Sequence, residues 1–257
     1  MNQLTKCFNE LKAKKRTALA PYFMGGYPDV DMSFQMIHEA VACGADLIEL
    51  GMPFSDPLAD GPTIQRAGMA ALKTGITLRQ LIQRFGQEKG EIPIPVVLMS
   101  YYNPIFQIGL RQTARLAAEA QLAGFIVPDL PIEEAAPFIR CCQEQNLAFV
   151  PLVAPTTPPE RMRQIDSLGQ GMLYYVARIG ITGARNDLPA ELVENLDNFR
   201  NNVTNPSVVG FGISTPEHAK VLKQHTDGIV LASALINRLD SMPQEEYPRI
   251  VKEFLVP

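Results

Sequence analysis

The chain contains no long apolar run. Nowhere in its 257 residues does a stretch approach the roughly 20 consecutive apolar residues that cross a bilayer, so no membrane span is expected. Nor is a secretory leader expected. Met1 to Arg16 carries Leu4, Phe8 and Leu11 at helical spacing among lysines, without an uninterrupted apolar core. These absences predict a soluble, cytoplasmic protein. Charge of one sign is not in excess: the net charge is −4. That offers no general basis for binding nucleic acid or an anionic membrane, and an anionic ligand would need a local positive site. The four cysteines (Cys7, Cys43, Cys141 and Cys142) show no metal-ligand spacing. A bridge between adjacent Cys141 and Cys142 in a helix would be strained, which predicts free thiols in a reducing compartment. His38, His218 and His225 all fall in predicted helices, and no pair has the spacing of a metal site. Lysine is absent from the predicted strand ends, so a Schiff-base aldolase lacks its nucleophile. Ser55, Ser100 and Ser233 have no neighbouring histidine, which argues against a nucleophilic triad.

What is present is a recurring strand–loop–helix unit. Hydrophobic residues make up 46% of the chain and charged residues 19%, a balance suited to a well-buried globular enzyme. Apolar runs that read as strands occur at Thr17–Met24, Leu47–Ile48, Pro95–Met99, Gly124–Val127, Phe149–Val153, Met172–Val176, Ser207–Gly210 and Gly228–Leu231. Each precedes a loop and a segment of helical spacing, among them Asp31–Cys43, Thr63–Lys73, Arg111–Leu122, Glu133–Gln145 and Pro158–Leu168. Tyr101–Pro104 reads as a polar loop, and Ala232–Ser233 opens a final helix. Eight such units fit a single (β/α)8 TIM-barrel domain over residues 1–257, preceded by an extra N-terminal helix, since this architecture uses about 250 residues. The alternative, an open doubly wound sheet, normally carries G-x-G-x-x-G after its first strand; Gly25-Gly26-Tyr27 does not match it.

One stretch concentrates the unusual features. From Asp46 to Gln65 the chain reads DLIELGMPFSDPLADGPTIQ, a short buried strand with a carboxylate, Glu49, at its end. Pro53, Pro57 and Pro62, with Gly51 and Gly61, then prevent continuous helix or strand. In a barrel, active sites lie at the C-terminal strand ends, which would bring Glu49 and Asp60 together. Two carboxylates on one strand–loop unit can divide acid and base roles when their environments separate their pKa values. They can also be structural, with Glu49 ion-paired inside the barrel and Asp60 capping the helix begun by Pro62, a position that suits Asp60 or Gly61. Glycines in the later loops form a second group: Gly183, Gly210 with Gly212, and the helix start at Ser233 would present amides at the position where barrels bind phosphate. These glycines can also be turn residues only.

The motifs themselves resemble a known family. Ile48–Gly61 is similar to the signature segment of the tryptophan synthase alpha subunit, and PYFMGGYPD (21–29), LMSYYNP (98–104), VPDLP (127–131), RIGITGAR (178–185) and GFGIS (210–214) extend the likeness along the chain. The resemblance implies a TIM barrel that cleaves indole-3-glycerol phosphate into indole and glyceraldehyde 3-phosphate by a retro-aldol reaction, without metal or organic cofactor. It implies that Glu49 protonates indole C3 and takes the proton of the adjacent glycerol hydroxyl, while Asp60 accepts from the indole N–H. Tyr22, Ile64, Tyr101, Tyr174 and Phe211 would wall the substrate, with Tyr22 at a position where Phe is also found. Thr182 would orient the aspartate, and the backbone of Gly183, Gly212, Ala232 and Ser233 would hold phosphate. Ala232 stands where the family commonly has Gly, and Ala177 where it commonly has Ser. The implied partner is a beta subunit carrying pyridoxal phosphate, in an α2β2 heterotetramer that receives the indole. Pro53, Asp56, Pro57, Asn103 and Phe106 match the contact loops. The loop bearing Pro53, Phe54 and Pro57 would serve as docking surface or as a rigid lid base. Alternatives are a stand-alone lyase releasing free indole, a sugar-phosphate isomerase barrel and a non-catalytic barrel; the last would be expected to lack Glu49 or Asp60.

Overall fold

The computed structural model describes residues 1–177, 190–210 and 221–255. All ladders between its strands are parallel. In chain order these are β1 (Ala18–Met24), β2 (Ile48–Gly51), β3 (Val96–Met99), β4 (Gly124–Ile126), β5 (Ala148–Val150), β6 (Leu152–Val153), β7 (Leu173–Val176), β8 (Ser207–Gly210) and β9 (Gly228–Leu231). They are arranged β5-β4-β3-β2-β1-β9-β8-β7-β6. The two terminal members of that order are consecutive in the chain. β5 and β6 are the two halves of the predicted strand Phe149–Val153, divided at Pro151, which has no N–H to give to a ladder. The first half pairs with β4 and the second with β7. The ring therefore closes through the chain itself, and the predicted barrel is the observed fold.

Alternation along each strand decides what enters the barrel. Ala18, Ala20, Tyr22 and Met24 of β1 cluster with Val97, Ile126, Val150, Tyr174, Val208 and Val230 in the interior. The intervening residues Phe23, Ile48, Leu50, Leu98, Phe125, Phe149, Tyr175 and Ile229 pack outward against the helices. Helix α1 (Gln3–Ala13), capped by Asn2 through the Thr5 amide (2.8 Å), sends Leu4, Phe8 and Leu11 into the inner cluster beside the strand starts. The amphipathic N-terminal segment thus plugs the barrel floor.

Around the ring lie α2 (Val30–Ala42), α3 (Pro62–Leu72), α4 (Leu78–Gly86), α5 (Tyr102–Ile108), α6 (Leu110–Glu119), α7 (Ile132–Glu144), α8 (Pro159–Leu168), α9 (Ala190–Asn202), α10 (Ser233–Asp240) and α11 (Tyr247–Leu255). Two of these depart from the sequence reading. Tyr101–Pro104 is mostly the first turn of α5, where Pro104 is tolerated because amides there have no intrahelical acceptor. Helix α11, which packs on α2, follows the one expected to be last. His225 sits in a turn instead of a helix, paired with Asp197 at 2.7 Å, while His38 of α2 pairs with Glu88 at 2.8 Å. All four cysteines are free thiols.

Asp166 of α8 anchors the turn that feeds β8. Its carboxylate accepts from the Thr204 amide (2.9 Å) and hydroxyl (2.7 Å) and from the Asn205 amide (3.0 Å) and side chain (2.9 Å). Burial opposes its charge, but these bonds outweigh burial and hold its pKa below the ordinary value. Asp166→Ala leaves those donors unpaired, so a loss of about 2–3 kcal/mol is expected in chemical denaturation. A variant as stable as wild type would show the anchor to be dispensable.

Candidate active site

Glu49 is the second residue of β2 rather than its last, and strand alternation points it inward while Ile48 and Leu50 face the helices. It lies beside Tyr22 in the ladder with β1 and beside Val97 in the ladder with β3. Only 2% of its surface is exposed. No cation pairs with it among the described residues, and its Oε2 has no hydrogen-bond partner there. Among the described residues, then, nothing gives Glu49 the ion-paired structural role considered from the sequence. Burial, reinforced by the Asp60 carboxyl, pushes Glu49 up to about 8, against a lowering contribution from the Tyr174 hydroxyl. At neutral pH it is a carboxylic acid with a proton to give.

Asp60 also lacks the structural role first considered for it. The N-cap of α3 is Gly61, with no side-chain cap, and Pro62 begins the helix. The Asp60 carboxyl is thus left to the site, while its backbone is held: its amide donates to the Pro57 carbonyl (3.1 Å) and its carbonyl accepts from the Gln65 side chain (2.9 Å). Burial raises it to about 6, partly offset by a hydrogen bond from Tyr101. The Tyr101 hydroxyl also accepts from the Ala59 amide (2.9 Å), and its ring stacks on Phe54 with centroids 5.0 Å apart. Phe54 was read from the sequence only as part of a docking surface or lid base, and Gln65 was not singled out; no local signal marks either as a support for Asp60.

Tyr22, Ile64, Tyr101 and Tyr174 are all buried, and Tyr22, Ile64 and Tyr174 belong to the inner cluster that holds Glu49's neighbours. Two glycines make room for the tyrosines. A Cβ on Gly210 would lie 1.8 Å from the Tyr174 hydroxyl, and one on Gly51 would lie 2.0 Å from the Tyr22 hydroxyl. Gly210 was read from the sequence as an amide donor; space is its evident use. Gly51, two residues past Glu49 on the same face, was missed, although that spacing was visible.

At the proposed phosphate end, Ala232 precedes α10 with φ −113°, so its methyl meets none of the left-handed strain that would demand glycine. Ser233 is the first residue of that helix. Thr182, Gly183, Phe211 and Gly212 lie outside the described residues. Of the residues expected to meet a partner, Asp56 and Asn103 are exposed, Pro57 is half-buried and Phe106 is 60% exposed. Pro53 is buried, which corrects its placement on a surface loop. Leu58, unremarked in the sequence, is 91% exposed. Among the described residues no cluster could hold a metal ion, and no helix is long and apolar enough to cross a membrane.

A barrel with an inward strand carboxyl, a second carboxyl on the following loop and tyrosines around both can be compared with known proteins. The family model for the tryptophan synthase alpha chain matches residues 8–255. The chain belongs to the tryptophan synthase alpha chain family. The tryptophan synthase alpha chain of Roseiflexus sp. (strain RS-1) is 44% identical, with 99% of this chain and 98% of that one covered. The one from Aquifex aeolicus is 43% identical, covering 98% and 97%. The crystal structure of tryptophan synthase subunit alpha from Legionella pneumophila superposes with a TM-score of 0.91 at 36% identity, covering 100% of this chain and 96% of that one. Membership makes this alpha chain a lyase of tryptophan biosynthesis, and a free-standing indole producer is not the reading it favours.

Proposed function

We propose that this alpha chain cleaves indole-3-glycerol phosphate with Glu49 and Asp60 as its catalytic pair. The observation that carries the assignment is geometric. Glu49 is buried on the inward face of β2, with no ion-pair partner among the described residues, and Asp60 follows half-buried on the loop that leaves the same strand. Burial raises the pKa of both. Protonated Glu49 delivers its proton to indole C3, and positive charge develops on the ring nitrogen. Ionised Asp60 accepts a hydrogen bond from the indole N–H and stabilises that charge. Glu49, now a carboxylate, takes the proton of the glycerol hydroxyl next to the ring. The carbon–carbon bond breaks, its electron pair returns to the indole ring, and the hydroxyl carbon becomes the aldehyde of glyceraldehyde 3-phosphate. Glu49 ends protonated, ready for the next turnover.

Tyr22, Ile64, Tyr101, Tyr174 and Phe211 wall the indole and propanol part, and Thr182 orients Asp60. The phosphate meets the backbone of Gly183, Gly212, Ala232 and Ser233, helped by the dipole of α10. This chemistry needs no metal or organic cofactor on the alpha chain; pyridoxal phosphate is carried by a beta subunit, in an α2β2 assembly. Asp56, Pro57, Asn103 and Phe106 are proposed to meet that partner, while Pro53 supports the loop from beneath. The deciding assay measures indole released from indole-3-glycerol phosphate with and without a tryptophan synthase beta chain. Indole is expected in both cases and faster with the partner. No indole in either would sink the catalytic reading, and equal rates would count against coupling to beta.

A further inference from the structure

Ser100 takes no part in the chemistry proposed above, yet it is buried just past the end of β3. Its amide donates to the Ile126 carbonyl of β4 (3.0 Å), and its hydroxyl donates to the carbonyl of Tyr101 (3.1 Å). The other polar group of that same peptide is held from the next loop of the barrel. The Tyr102 amide donates to the Asp129 carboxylate (2.8 Å), and Asp129 lies on the loop after β4. The peptide between Tyr101 and Tyr102 is thus gripped on both sides, which keeps Tyr101 extended (φ −69°, ψ 158°) just before α5. From that backbone the Tyr101 ring reaches the loop after β2. It stacks on Phe54 with centroids 5.0 Å apart, and its hydroxyl accepts from the amide of Ala59 (2.9 Å), the residue before Asp60. Asp129 is itself exposed, and the Tyr102 amide is the one hydrogen-bond partner of its side chain among the described residues.

We infer that Ser100 and Asp129 are positioning residues for the Asp60 loop: by fixing the peptide between Tyr101 and Tyr102, they hold the Tyr101 hydroxyl against the Ala59 amide. This deepens the catalytic reading above and rests on it for Asp60's role. Loops are the soft parts of a barrel, and each of the three concerned is joined to the next by a printed bond or stack rather than by the sheet. A carboxylate is well suited to the outer end of this chain, because it accepts strongly from a first-turn amide and is favoured by the helix dipole. An asparagine there would keep the acceptor and lose only the charge. Ser100 supplies the inner end, where burial leaves its hydroxyl no water to compete for it.

The test is amide hydrogen exchange followed by NMR in the absence of substrate. Asp129→Ala is expected to speed exchange of the Ala59 amide about fivefold, the effect of one lost capping bond, while the amides of β2 keep their wild-type rates. Ser100→Ala should act in the same direction, and Asp129→Asn should stay within about twofold of wild type. Capping of α5 alone would disturb Tyr102 and its helix but leave Ala59 untouched. An unchanged Ala59 rate in either alanine variant overturns the role assigned to that residue. The matching kinetic readout is indole release, where Asp129→Ala is expected to lower kcat/KM about tenfold. In a Tyr101→Phe background the same change should add less than about twofold, because the hydroxyl it serves is gone. Full additivity of the two substitutions overturns the path through Tyr101. If wild type releases no indole, the catalytic reading fails separately, since exchange needs no turnover.

Discussion

Glu49→Gln is expected to fold more stably than wild type while releasing almost no indole. The activity loss follows from removing the group proposed to protonate C3 and recover the hydroxyl proton. Loss of a general acid–base residue lowers kcat by about 10²–10⁴-fold. The stability gain follows from proton linkage. Glu49 has a pKa of about 8 when folded against an ordinary value of 4.5. Between those values the folded chain binds more protons than the unfolded chain, so stability falls as pH rises, by about 1.4 kcal/mol per unit for a fully linked group. The penalty is absent below pH 4.5 and complete above about pH 8. Glutamine cannot ionise and escapes it, though its buried amide must itself find partners. A net gain of about 2–3 kcal/mol near pH 7 is therefore expected. Urea denaturation at pH 5 and pH 8 checks this: the advantage should be small at the first and largest at the second. Equal gains at both values would remove the burial account of Glu49.

The second large effect is the pH window of catalysis. In the proposed mechanism the working form has Glu49 protonated and Asp60 ionised. Below about 6 Asp60 takes up a proton and can no longer accept from the indole N–H; above about 8 Glu49 loses the proton that C3 needs. The profile of kcat/KM should be a bell with limbs near those values, falling about tenfold per pH unit beyond each. Asp60→Asn should abolish the acid limb and leave the basic one, at much reduced activity. A profile flat from pH 5 to 9 would show that these two carboxyls do not set the rate.

Both effects trace to a residue whose importance the sequence already signals. A carboxylate in an apolar strand bounded by glycine is out of place unless used, and period-two alternation turns it inward between Ile48 and Leu50. The barrel was legible for a similar reason: strand runs and helical spacing are local patterns repeated around the chain. The reading went astray where non-local contacts override local signals. Pro151 divides one strand because its two halves serve different neighbours, β4 and β7. Pro104 looked like a loop marker but falls in the first turn of a helix. Asp60 and Gly61 both suited the cap of α3, and only the structure shows that Gly61 takes it.

The sequence alone determined the strand–loop–helix repeat, the presence of Glu49 and Asp60 on one unit, and the motifs that carry the family resemblance. All of these depend on residues close together in the chain. Tertiary structure decided what surrounds the pair. Tyr174 and Gly210 come from the opposite arc of the barrel, Tyr22 and Gly51 share one space across a ladder, and Tyr101 with Phe54 braces the Asp60 loop. Desolvation depends on everything packed around a group, so the raised pKa values of Glu49 and Asp60 exist only once the ring has closed.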